Sequence, residues 1–135
     1  MTTILVIYHS QSGNTKQMAE SVARGVQSVD NVTAVFKTAG EATIEDLKQC
    51  DGIAIGSPEY FGYMSGMVKD FFDRTYETVS NNIKEFAKPY VLFISAGNDG
   101  RNTCAQIERI CIGFSFKKVH EPITSRGEIT ESILK

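Results

Sequence analysis

Tryptophan is absent from this sequence, proline and cysteine occur three times each, and histidine twice. Each scarcity excludes something. Cys50, Cys104 and Cys111 are an odd number without a C-x-x-C pair, which excludes a disulfide framework and a thiol-redox motif. On one helix, Cys104 and Cys111 would stand ~10 Å apart at 1.5 Å rise per residue, too far to bridge. All three read as buried small hydrophobes. His9 and His120 have no carboxylate or cysteine at ligand spacing, so no metal site is expected. A net charge of −2 offers nothing to draw nucleic acid or an anionic membrane. No apolar run approaches the ~18 residues of a membrane span. Met1-Thr2-Thr3 passes straight into Ile4-Leu5-Val6-Ile7-Tyr8 without a basic leader, so a cytoplasmic chain is expected. No Ser-His-Asp, Cys-His or paired-carboxylate arrangement marks a hydrolase.

What is present is an ordinary globular mixture, 41% hydrophobic and 22% charged over 135 residues. The length fits one domain, residues 1–135. Short β-rich runs alternate with helical periods. The runs are Ile4 to Tyr8, Val32 to Phe36, Gly52 to Gly56, Tyr90 to Ser95 and a less apolar Phe116 to Glu121, which Pro122 would end or mark as an edge. Thr15 to about Ser28 carries Met18, Ala19, Val22, Ala23 and Val26 at helical spacing. Thr43 opens a short helix with Asp46 placed for a capping box. From Ser65 a longer helix should bury Val68, Phe71, Phe72, Thr75, Tyr76 and Val79. Asn102 or Thr103 would cap a helix with Cys104, Ile107 and Cys111 inward, closed by Gly113. Glu128 to Lys135, with Ile129, Ile133 and Leu134, suggests a shortened final helix.

This alternation predicts an α/β fold, a doubly wound five-stranded parallel sheet in the order 2-1-3-4-5. Ligands of such sheets bind beyond the carboxyl ends of the strands at the switch point. The loops there are Ser10 to Thr15, Ser57 to Gly66 and Ser95 to Asn102. The first joins a buried strand to a helix with neutral side chains only. Hydroxyls of Ser10, Ser12 and Thr15, the Asn14 amide and free N–H groups at a helix start can hold a phosphate without a cation, and Gly13 permits close approach. The same composition equally suits a capped βα turn. Neither G-x-x-x-x-G-K-[ST] nor G-x-G-x-x-G occurs here, which excludes a nucleoside-triphosphate loop and a dinucleotide fingerprint. A receiver domain would need acidic residues where Tyr8-His9-Ser10 and Gly56-Ser57-Pro58 stand.

Ser10-Gln11-Ser12-Gly13-Asn14-Thr15 resembles the S/T-x-T/S-G-N-T phosphate loop of flavodoxins. Gly56-Ser57-Pro58-Glu59-Tyr60-Phe61-Gly62-Tyr63-Met64-Ser65-Gly66, followed by Val68 to Thr75, resembles the G-[ST]-P-x-Y-F-G run of flavodoxin-like flavin mononucleotide (FMN) proteins and NAD(P)H-dependent FMN or quinone reductases. The resemblance implies FMN as cofactor. Ser10 to Thr15 would hold its phosphate, Ser57 to Gly62 its ring, and Ser95, Ala96, Gly97, Asn98 and Gly100 the pyrimidine edge. Tyr60 and Phe61 are the stacking candidates, and Gly62 would permit a peptide flip beside the reactive flavin nitrogen. The Ser95 to Asn102 loop lacks the second stacking aromatic usual in flavodoxins, which leaves one ring face open to a nicotinamide, a quinone or a neighbouring subunit. His9 reads as structural or exposed, Lys16 as solvent-facing, and Asp73-Arg74 as a solvated pair or a tether.

Two functions fit: electron transfer through bound flavin to a redox partner protein, and NAD(P)H-dependent reduction of FMN or quinone. A non-redox scaffold is the third. The short tail would leave part of one sheet face bare, so self-association into a homo-oligomer is expected.

Overall fold

Ile4 to Tyr8 form the greater part of β1 (Thr2–Tyr8), buried from Leu5 onward as a strand covered on both faces should be. The computed structural model describes residues 2–11, 13–97 and 100–126. β1 pairs in parallel with β2 (Val32–Thr38) and with β3 (Gly52–Pro58), and β3 pairs with β4 (Pro89–Ala96). Helices α1 (Asn14–Gln27), α2 (Ile44–Gln49) and α3 (Gly66–Asn81) connect these strands, and α4 (Arg101–Gly113) follows β4. The order β2-β1-β3-β4-β5 is that of the expected doubly wound α/β sheet.

The fifth strand differs from expectation. Its place is shared by two pieces, β5 (Lys117–Lys118) beside Pro89 and Tyr90, and β6 (Ile123–Arg126) beside Phe93 to Ala96. Five steps separate Lys118 from Ile123 where three separate Tyr90 from Phe93, so two residues more than the register needs bulge outward. Pro122 lies in that bulge and has no N–H to continue a ladder. It interrupts the edge strand rather than ending it. The expected final helix, Glu128 to Lys135, lies outside the described residues.

The larger core joins the sheet to α2, α3 and α4 through residues such as Leu47, Phe72 and Ile107, while Met18 and Ala19 of α1 pack on Val6, Tyr8, Ala54 and Phe93 from the other face. Beside α1, that second face keeps a groove of about 200 Å³ lined by Ile4, Val22, Val26, Val91 and Val119 among others. On α3, Val68, Phe71, Phe72, Thr75 and Val79 are buried as expected. Tyr76 is not. It is half exposed at the edge of the stripe and only leans on Phe114, ring centroids 5.4 Å apart. Cys50 and Cys111 are buried and Cys104 is partly covered; all three are free thiols. No helix among the described residues is long and apolar enough to cross a membrane.

Helix starts follow their caps. Ser65 accepts the Val68 N–H at the start of α3. At α2, the Thr43 hydroxyl accepts the Asp46 N–H while the Asp46 carboxylate accepts the Thr43 N–H at 2.9 Å, completing the capping box. Burial opposes the Asp46 charge, but two hydrogen bonds from Lys37 Nζ, at 2.9 and 3.0 Å, and those from Thr43 outweigh it and hold the carboxyl below its ordinary range. A depressed folded-state pKa stabilises the fold above the unfolded value near ~3.9 and ceases to do so as pH falls through the folded value. Asp46→Asn should therefore cost about 1–2 kcal/mol at neutral pH. In urea melts across pH, the gap to the parent should close at the acid end.

Arg74 tethers α3. It pairs with Asp70 and donates to the Ala42 and Ala39 carbonyls at 3.0 and 2.7 Å, while Asp73 pairs with Lys69.

Candidate cofactor site

β1, β3 and β4 end at one rim of the sheet, and the three polar loops meet there. In the first, the backbone turns at Gly13, φ 99°, a conformation suited to glycine, and the Gly13 N–H donates to Ser10 Oγ at 3.0 Å. α1 then begins without a side-chain cap and without an acidic residue in its first turn. The positive end of its dipole is therefore left for an anion. Gln11 and Lys16 are exposed, while Ser12 lies outside the described residues.

Thr15 was expected to face a ligand, yet its side chain is buried and its hydroxyl lies 2.8 Å from Ser95 Oγ. It ties the first turn of α1 to the end of β4. The Glu59 N–H donates to the Ser95 carbonyl at 2.9 Å, which joins the second loop to the same point. His9 is held by its N–H to the Gly56 carbonyl, and its ring stands edge-on to Tyr60 with centroids 6.2 Å apart.

In the second loop Tyr60 and Tyr63 exchange both backbone hydrogen bonds, at 2.8 and 2.9 Å, closing a two-residue turn over Phe61 and Gly62. Both central residues have positive φ, 53° and 72°, as tight hairpin turns require. Phe61 stands wholly in solvent, at 107% of reference exposure. Tyr60 turns inward, and its buried hydroxyl has no hydrogen-bond partner among the described residues. Burial pushes the Tyr60 pKa above its ordinary value. Ser57 does not reach the rim: its hydroxyl donates to the Pro58 carbonyl and accepts the Ser65 N–H, shaping the turn into α3.

The third loop leaves β4 through Gly97; Asn98 and Asp99 lie outside the described residues. Neither Asn102 nor Thr103 caps α4, as the sequence suggested. Gly100 occupies that position with φ 69°, where a Cβ would lie 3.0 Å from Thr124 Cγ2 and 3.2 Å from Ala96 Cβ. Gly100 therefore serves close packing. Asn102, inside the first turn, donates its amide to the Gly62 carbonyl. The sequence offered Asn102 or Thr103 as the cap, and no local signal pointed from Asn102 across to the second loop.

Asn14, Pro58, Glu59, Tyr60, Ser95, Ala96 and Gly97 surround a cleft of about 180 Å³. An open helix start on one side and Tyr60 on the other fit a flat ring carrying a phosphate tail. Such a site on this sheet defines a flavodoxin-fold flavoprotein.

The family model of NADPH-dependent FMN reductases matches residues 29–122. These include the second and third loops but not the first. A flavodoxin of Aquifex aeolicus is 37% identical over 119 residues, 86% of this chain and 63% of that protein. An NAD(P)H dehydrogenase (quinone) of Acidithiobacillus ferrooxidans is 36% identical over 95 residues, 56% of this chain and 48% of that one. The chain thus spans less than two thirds of either relative. Among solved structures, an archaeal flavodoxin superposes with TM-score 0.85 at 26% identity, over 98% of this chain and 89% of that one. A WrbA-like flavodoxin from Agrobacterium tumefaciens gives 0.81 at 24%, over 99% and 88%. The chain belongs to the NADPH-dependent FMN reductase family, and FMN is its cofactor.

Proposed function

We propose that this chain binds FMN in the cleft at the strand ends and passes electrons through it to a redox partner. The observation that carries the reading is the pairing, across one cleft, of an uncapped helix start with Tyr60 at the base of the exposed Phe61 turn. When bound, FMN supplies reversible one- and two-electron chemistry, and the protein's part is to bind, orient and tune it. Ser10, Gly13 and Asn14 and the α1 dipole would hold the phosphate, with Ser12 from the same loop. Tyr60 and Phe61 would flank the ring, and Ala96 and Gly97 would face its polar edge with backbone groups. The first two loops are braced against β4 through Thr15–Ser95 and Glu59–Ser95, so little ordering entropy is left for binding to overcome.

A second reading, NAD(P)H-dependent reduction of FMN or quinone, is favoured by the family match and by the absence of any aromatic side chain between Ser95 and Asn102. That absence leaves room for a second planar molecule over the ring.

Anaerobic titration of the FMN-loaded protein separates the two. Reduction in two resolved one-electron steps by a chemical reductant, with no bleaching by NADPH, supports the carrier. Rapid bleaching by NADPH supports the reductase. Failure of the purified chain to bind FMN at micromolar concentration would overturn both. Phe61→Leu should shift the bound visible spectrum and relieve part of the flavin fluorescence quenching, because an aromatic face contributes ~0.5–1.5 kcal/mol beyond its area. An unchanged spectrum in both Phe61→Leu and Tyr60→Leu would place the ring elsewhere.

A further inference from the structure

Phe61 is a non-glycine residue with left-handed backbone, φ 53°, in a turn that projects it into solvent. That conformation costs a branched or bulky residue roughly 1–2 kcal/mol, and an exposed phenyl ring recovers none of it by burial. Something else must hold the turn. The two Tyr60–Tyr63 backbone bonds close its base. Beyond them, among the described residues, one side chain bonds the tip: Asn102 Nδ2, from the first turn of α4, donates to the Gly62 carbonyl. Gly62 and Asn102 are forty residues apart, and a Cβ built on Gly62 would still clear Nδ2 by 4.0 Å.

Asn102 also stands two residues after Gly100, at the end of the third loop. Its contact therefore joins the loop after β4 to the loop after β3, apart from the shared Ser95 brace. The alternative, that Asn102 is an ordinary helix-start residue, leaves its amide with no reason to cross to another loop. The helix is already entered through Gly100, whose carbonyl accepts the Cys104 N–H at 3.0 Å.

We propose that Asn102 is a positioning residue that latches the Phe61–Gly62 turn to α4 and so holds Phe61 over the cofactor cleft. It rests on the reading that the cleft takes FMN. The latch needs a donor: Gly62 offers a carbonyl, and only an N–H or O–H can meet it. Asn102→Asp keeps the shape and loses the donor, while Asn102→Leu removes polarity altogether.

Two measurements test this, one with FMN and one without. Chymotrypsin cuts after exposed aromatic residues in loops that open, so cleavage after Phe61 in the FMN-free chain, mapped by mass spectrometry, reports the latch alone. We expect both variants to be cut there about five- to tenfold faster than the parent, with unchanged thermal midpoints. With FMN added, dissociation constants should rise about five- to tenfold, and the bound visible spectrum should move in the same direction as in Phe61→Leu. A side chain with a purely structural role would lower the thermal midpoint and leave that spectrum alone. Equal cleavage after Phe61 in parent and variants overturns the latch. Faster cleavage with unchanged FMN affinity and spectrum overturns its positioning role. Should the parent itself not bind FMN, the cofactor reading falls, and the cleavage ratio still decides whether the latch exists.

Discussion

Gly56→Ala is expected to cost about 3 kcal/mol or more of folding stability, at the upper end of overpacking penalties. Gly56 lies in the buried centre of the sheet, in register with Tyr8 on β1 and Phe93 on β4. A Cβ there would sit 2.0 Å from Cε2 and 2.3 Å from Cζ of Phe93, whose ring is 1% exposed and packed under α1 with Tyr8, Met18 and Ala19. Neither group can yield. Gly56 is strand backbone whose carbonyl holds the His9 N–H, and moving Phe93 would open the α1 face of the core. The clash is therefore pairwise, and shortening the ring should relieve it. Phe93→Leu should recover a large part of the loss when combined with Gly56→Ala, although alone it destabilises the parent. Urea midpoints of the four proteins in that cycle give the coupling directly. Strict additivity would show that the glycine is needed for its backbone rather than for the ring.

The second large effect concerns the phosphate. Replacing Ser10 and Thr15 together by alanine should weaken FMN about tenfold or more, since Ser10 loses one hydrogen bond to a charged group, a contribution of ~1.5–3 kcal/mol, and loss of the Thr15–Ser95 tie loosens the start of α1. Riboflavin, which has no phosphate, should change less than about threefold. Each hydroxyl has one proton to give. Ser10 Oγ already accepts the Gly13 N–H, and among the described residues its own proton has no acceptor. Thr15 is buried with its Oγ1 2.8 Å from Ser95 Oγ, so it acts by holding the first turn of α1 in place. Ser95→Ala should accordingly weaken FMN as well, by a smaller factor, because it cuts the Thr15 tie and leaves Ser10 in place. Titrations of the FMN-free variants with both ligands decide the matter. Equal losses for FMN and riboflavin would show that the first loop does not hold the phosphate.

Local chemistry was legible wherever a residue acts within its own turn. The Thr43–Asp46 box, the helix start at Ser65 and most of the buried stripe of α3 each depend on neighbours three or four positions away, which a one-dimensional reading contains. The alternation of apolar runs with helical periods likewise determines a parallel sheet, because strands buried on both faces need a covering helix after each. Tertiary structure decided what depends on distant partners. It buried Thr15 against Ser95, made Gly100 the entry to α4 because Thr124 and Ala96 crowd it, and carried Asn102 across to Gly62. It divided the fifth strand at Pro122, where two residues more than β4 can match must leave the ladder. It left Tyr76 half exposed, leaning on Phe114, the residue that follows α4. Hydrophobic spacing states which residues seek cover, and the packed neighbours determine which of them receive it.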